Sequence, residues 1–147
     1  MSHDSDDVSR FVQAQQTDYE TALSEVQAGR KRSHWMWYIF PQIAGLGSSD
    51  MSRRYAIKSR AEAETYLKHP VLGPRLVEIC EAVLGVDGRS AHDIFGSPDD
   101  IKPRSCATLF AAVSPPGSVF ERVLQRYFRG EPDAQTLRLL EHKSETP

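Results

Sequence analysis

The sequence predicts an all-α fold, a single compact domain of about eight short helices. Three observations carry this prediction. Apolar residues recur at spacings of three and four, the period of one helix face. Ser or Thr stands three residues before Glu at several points where an apolar run begins, the signature of a capping box. No segment alternates apolar and polar residues between hairpin turns, so strands are not expected. The 147 residues suit one domain, residues 1–147. A chain of this length buries roughly 70% of its unfolded surface and needs no metal or disulfide to hold it.

The elements follow in order. Residues 1–10 form an acidic tail with Asp4, Asp6 and Asp7, and Phe11, Val12 and Ala14 mark a first short helix. Thr17-Asp-Tyr-Glu20 reads as a capping box opening a second helix, with Tyr19, Ala22, Leu23 and Val26 on its apolar face and Gly29 at its end. Ser33 is expected to cap a short aromatic helix over residues 34–40, which Pro41 stops. Residues 42–49 read as a loop, because Gly45 and Gly47 admit unusual backbone angles. Ser59-Arg-Ala-Glu62 opens a helix to about Lys68, and His69-Pro70 breaks it.

A strongly amphipathic helix carries Leu72, Leu76, Ile79, Cys80, Val83 and Leu84 and stops at Gly85 and Gly88. Residues 90–95 fit one or two turns. Ser97 is placed as a cap, Pro98 at the first helical position, and Asp99 and Asp100 in the first turn of a helix to Ala112. Pro115-Pro116-Gly117 is a turn. Ser118-Val-Phe-Glu121 opens a helix through Val123, Leu124, Tyr127 and Phe128, and Asp133 caps a last helix through Leu137, Leu139 and Leu140. Order is expected over about 8–142, with both tails loose.

Charge narrows the function classes. The net charge of −2 excludes a polycation that coats nucleic acid by charge alone, and a nucleic-acid partner is not expected. The charge is unevenly placed, however. Residues 30–60 hold seven basic residues against one acid, Asp50, a net +6 that leaves −8 for the rest of the chain. Such a segment concentrates anions locally. Cys80 and Cys106 form no C-x-x-C pair, and reduced thiols are expected. The start of the chain has no apolar run, and residues 33–49 fall short of a membrane span. A cytoplasmic protein without a membrane partner is therefore expected.

Three blocks are candidates for chemistry. Residues 34–42 concentrate aromatics, with Trp35, Trp37, Tyr38 and Phe40 in six positions, more rings than one helix face can turn to one core. Gly45-Leu46-Gly47-Ser48-Ser49 has the glycines and hydroxyls of a backbone nest for phosphate, though it lacks the P-loop ending. Asp99 and Asp100 with Lys102, Arg104, Ser105 and Thr108 place carboxylates, cations and hydroxyls on one helix. The five histidines have neither i, i+4 spacing nor flanking cysteine pairs, so no metal is expected, and no motif calls for a cofactor.

The block His34-Trp-Met-Trp-Tyr-Ile-Phe-Pro-Gln42, with Gly45-Leu-Gly47 and Tyr55-Ala-Ile57, resembles the bacterial domain of unknown function 1810 family. His69-Pro-Val-Leu-Gly73, Ile94-Phe-Gly96, Asp99-Asp100 with Lys102, and Thr108-Leu-Phe110 extend the resemblance over residues 11–140. It implies a single, mainly helical domain. The chain departs from the family pattern at Pro103, Cys106 and Ala107, where Leu, Ser and Met are usual, which leaves Ser105 as the hydroxyl there. The name calpastatin, sometimes given to members, does not suit a compact, non-repetitive sequence.

Two functions are consistent with these residues. In the first, an anionic, nucleotide-like small molecule lies between the aromatic helix, the glycine loop and the 99–108 helix. Trp35 or Trp37 stacks on it. Arg30, Lys31 or Lys102, with amides near Gly47 and Ser48, hold its phosphate. Asp99 or Asp100 orients a hydroxyl or acts as a base, and His34, Gln42, Gly45, Ser105 and Thr108 complete the lining. In the second, the aromatic block is a surface for protein interaction or self-association. The sequence leaves open whether catalysis occurs and what the oligomeric state is.

Overall fold

The computed structural model describes residues 3–144, with side chains described over 8–141. The tails expected to be loose fall partly outside this range. Residues 1, 2 and 145–147 lie outside the described residues.

A long helix, α1 (His3–Gln27), packs against α2 (Met36–Ile39), α4 (Arg60–Lys68) and α5 (Leu72–Leu84). A second layer is built by α7 (Lys102–Ala111) and α8 (Val119–Phe128), with α8 also against α5. The last helix, α9 (Ala134–Ser144), lies over α7 and touches α4. Shorter pieces are α3 (Asp50–Arg54), α6 (Ala91–Phe95) and a 3-10 turn at Asp99–Ile101. Among the described residues there is no strand. A single parallel bridge pairs Ile43 with Ile57, fastening the glycine loop to the segment after α3. The all-α single domain is what the sequence predicts.

Aromatic contacts tie the layers together. The Tyr66 ring sits between Phe11 and Phe110, with centroids 5.2 and 5.3 Å away, and Phe110 in turn meets Phe120 at 5.8 Å. The buried amide of Gln15 is fully paired in this core, as burial favours. The Gln15 amide donates to the Tyr38 carbonyl and the Tyr66 hydroxyl at 2.8 and 3.0 Å, and its oxygen accepts from Arg75.

Several expected starts hold. Ser59, Ser90 and Ser118 each accept the backbone N–H three residues on, and Asp133 accepts from Thr136 N–H at 2.9 Å. Others are corrected. Thr17 opens no helix, because α1 is continuous: Val8, Phe11, Gln15, Tyr19, Ala22 and Val26 form one buried stripe across it. Ser33 does not cap α2, since its hydroxyl donates to Glu25, and α2 starts only at Met36. Helix α3 lies where no helix was expected, capped by Ser49. Pro98 precedes the 3-10 turn after a cis Ser97–Pro98 bond, and it is Pro103 that occupies the first turn of α7.

The turn between α4 and α5 brings their backbones close. The His69 ring nitrogen Nδ1 accepts from the amides of Val71 and Leu72. A Cβ on Gly73 would lie 2.1 Å from the Leu67 carbonyl oxygen. Gly73→Ala is therefore expected to destabilise the protein by about 1–3 kcal/mol, as overpacking does. Gly85 has an ordinary helical φ and open surroundings, so Gly85→Ala should be neutral or stabilise by about 0.4–1 kcal/mol. Urea unfolding of both variants checks the contrast, and equal midpoints would contradict it.

Candidate functional site

The site begins at the end of α1. Gly29, at φ +80°, turns the chain in a Schellman closure: its N–H reaches the Val26 carbonyl, and the Arg30 N–H reaches that of Glu25. The Glu25 carboxylate then gathers the returning segment. It accepts from the amides of Arg32 and Ser33 at 2.8 and 3.0 Å, from the Ser33 hydroxyl at 2.6 Å and from Trp35 Nε1 at 2.9 Å. Burial pushes the Glu25 carboxyl upward, but these donors outweigh it and hold it down at about 2.

This clamp sets the aromatic block. Trp35 is fully buried and tilts on Phe40, which stands edge-on to Phe95 of α6 at 5.4 Å. Tyr38 is buried against Tyr55, and its hydroxyl donates to Asp18 of α1. Burial and that carboxylate both raise the Tyr38 pKa. Only Trp37 of the four rings is partly exposed. Of the rings expected either to be wrapped by the core or to line a pocket, Trp35, Tyr38 and Phe40 are buried and Trp37 borders a cavity.

Two lysines converge beside these tryptophans. The Lys31 amide donates to the Ile94 carbonyl at 2.6 Å, and its ammonium lies 3.0 Å from Asp99 and 5.2 Å from the Trp35 ring centroid. The Lys102 ammonium reaches the other Asp99 oxygen at 2.9 Å and lies 5.7 Å from the Trp37 centroid. Such positions are favourable for cation–π attraction. Asp99 is partly desolvated, which raises its pKa, yet hydrogen bonds and charge from Lys102 and Lys31 bring it below the usual carboxylate value. That suits an ion-pair anchor better than a base at neutral pH.

Trp37 also borders a small cavity of about 90 Å³. Gln42, Gly45 and Gly47 line it from the glycine loop, and Ser52, Arg53 and Tyr55 from α3 and its end. Leu139 of α9 packs against Gly45, within 3.2 Å of where a Cβ would stand. The structure thus brings Lys31, Trp37, Gln42, Gly45, Gly47, Asp99 and Lys102 around one ring or its immediate neighbours.

The remaining expected residues lie elsewhere. Arg30 lines a separate hollow along α1 with Glu20, Ser24 and Arg32. Trp35 has no exposed face to stack on a ligand. His34 and Ser48 are exposed and line none of the cavities described here. Asp100 pairs with the exposed ring of His92 at 3.2 Å. Ser105 is buried within α7. The Thr108 hydroxyl donates to the Arg104 carbonyl and accepts from the Asp133 amide, tethering the start of α9. Glu25, Ser52, Arg53 and Tyr55 were not candidates from sequence. Only the Ser49 cap, unrecognised there, pointed to the turn that carries Ser52 and Arg53. Among the described residues no three His, Cys, Asp or Glu side chains assemble a metal site.

A family model described as Protein of unknown function (DUF1810) matches residues 5–140. The chain is 48% identical to the conserved hypothetical protein Rv1873 from Mycobacterium tuberculosis. That protein's crystal structure matches with a TM-score of 0.90, covering 92% of this chain and 96% of that one. No curated protein matches the chain.

The Glu25 clamp has a pH signature. Its folded-state pKa, about 2, lies below the ordinary 4.5. Its contribution is therefore complete above the ordinary value and is lost as pH falls through the window from 4.5 toward 2. Glu25→Gln should be less stable than the wild type at pH 7 by about 1–3 kcal/mol. The difference should shrink across the acid window, because the wild type alone loses the charged acceptor. Thermal melts at stepped pH test this, and curves that stay parallel to the acid limit would refute it.

Proposed function

The chain belongs to the DUF1810 family, and from the site itself we propose that it binds a small anionic molecule of nucleotide-like build at Trp37. The observation that carries this reading is the sharing of one ring. Lys102 lies over Trp37 and pairs with Asp99, and the cavity lined by Gln42, Gly45 and Gly47 borders the same indole. Lys31 and Lys102 against Asp99 leave one net positive charge, and Arg53, paired with Asp50 at 3.3 Å, stands at the cavity wall.

Size sets the ligand's orientation. A water occupies about 30 Å³ in the liquid, so the 90 Å³ cavity has room for about three. That is space for one phosphate- or carboxylate-sized group and not for a whole nucleotide. The anionic group enters the cavity beside Gln42 and Arg53, and the planar body lies across the exposed part of Trp37. A base stacked on an aromatic side chain gains about 1–3 kcal/mol. Asp99 serves as the anchor that holds both lysines in place.

Among the described residues no helix is long and apolar enough to cross a membrane. A cytoplasmic location goes with this reading, because nucleotide-like anions are abundant there and both cysteines are free thiols. The alternative, an aromatic interaction surface, finds little support. Trp35, Tyr38 and Phe40 are buried, and among the described residues the exposed large apolar ones are Val71, Ile101 and Leu137, each on a different element.

Fluorescence titration and thermal shift with ATP, NAD, ADP-ribose and inorganic phosphate test the proposal. At least one nucleotide should bind and quench tryptophan emission. Trp37→Ala should weaken it by about tenfold or more, the loss of one stacked ring. Lys102→Ala should weaken it about tenfold, the loss of a charge-assisted hydrogen bond. Binding left intact in both variants, or no binding at millimolar ligand, would overturn the reading.

A further inference from the structure

A second cavity shares no residue with the first. It is an open groove of about 720 Å³ between α5 and the start of α8. Small-molecule sites commonly span roughly 300–1,000 Å³. Its floor is apolar, built by Leu67, Val77, Pro115, Val119 and Phe120. Its two helical walls carry opposite charges. Glu78 and Glu81 stand one turn apart on α5, and Arg122 stands on α8.

These charges are not used up among the described residues. Glu78 accepts a hydrogen bond from the Tyr19 hydroxyl, which fixes one of its oxygens and leaves the other for a ligand. Among the described residues Glu81 and Arg122 have no ion-pair partner. Other arginines here fasten loop carbonyls: Arg60 holds that of Ala112, Arg104 those of Glu131 and Pro132, and Arg126 those of Leu84 and Val86. Arg122 borders the groove instead.

We infer that this groove binds a zwitterion with an apolar body, of about dipeptide size. The ammonium group lies against Glu78 and Glu81, the carboxylate pairs with Arg122, and apolar side chains cover the floor. A simple cation would leave Arg122 unmatched, and a simple anion would face two carboxylates. Only a molecule with both charges, separated by an apolar stretch, matches both walls and the floor between them. The inference does not depend on the Trp37 site.

Amide chemical-shift titration of the full-length protein with leucyl-leucine tests this. N-acetyl-leucyl-leucine amide, which lacks both charges, is the control. Leucyl-leucine should shift the amides of Val77, Glu81, Phe120 and Arg122 in a saturable way at millimolar concentration. The blocked peptide should bind about tenfold more weakly. Glu81→Gln and Arg122→Gln, both at exposed positions, should each weaken leucyl-leucine by up to about fivefold, the range of a partly exposed ion pair. Unchanged spectra of the free variants would show that the fold is kept. Equal affinity for the two peptides, no shift in the groove, or shifts confined to the Trp37 site would each overturn the inference.

Discussion

Glu25 sits where a helix least favours a carboxylate. It lies in the last turn of α1, at the negative end of the helix dipole, where an acid costs about 0.3–1 kcal/mol. Four donors from residues 32, 33 and 35 offset this, and hydrogen bonds to a charged acceptor are worth about 1.5–3 kcal/mol each before correlated losses. The result is a fixed path for the chain as it leaves α1. Trp35 is locked by its ring nitrogen, and α2 begins one residue later with its orientation set. Phe40 then meets Phe95, which places α6. Lys31, held to Ile94 by its amide and to Asp99 by its ammonium, ties the same segment to the 3-10 turn. The contacts that converge on Trp37 therefore lie downstream of one carboxylate.

The basic segment looks different once folded. Along the sequence, residues 30–60 carry a net +6. In space those charges diverge. Arg30 and Arg32 face a hollow on α1, and Lys31 is enclosed between Asp99 and Trp35. Arg54 lies over the Tyr55 ring, and Arg60 reaches the Ala112 carbonyl on another helix. Only Arg53 faces the cavity beside Trp37. A run of like charge in sequence does not make one field when successive side chains leave short helices in different directions. Local positive charge at Trp37 comes instead from Lys102, far along the chain, brought in by the Asp99 anchor.

The fold was largely legible because its signals are local. Caps at Ser59, Ser90, Ser118 and Asp133 and the apolar spacing of α5 depend on neighbours within a turn or two. The capping-box pattern Thr17-Asp-Tyr-Glu20 misleads, because α1 runs through it with polar Gln15 inside its buried stripe. Gln15 belongs there because Tyr38, Tyr66 and Arg75 satisfy its amide, which a sequence pattern does not reveal. The site was legible only as parts. Its blocks could be named, but the pairings of residue 25 with 35, 31 with 99, 37 with 102 and 45 with 139 are long-range contacts fixed by packing. That is why Trp35, plausible by type, is enclosed and the Thr108 hydroxyl is engaged by backbone, while Glu25 and Arg53 carry no motif in the sequence.

The chemistry of Asp99 bears on what kind of site this is. A base in hydrolysis works best with a pKa near the working pH and with an oxygen free to take a proton. Asp99 has neither property. Both of its oxygens are engaged by ammonium groups, and those groups lower its pKa. Protonating it would release two partly buried lysines from their partner, a change opposed by their charge. Asp100 points the other way, to an exposed histidine. The Asp99 carboxylate is thus arranged to keep two cations fixed and not to exchange protons.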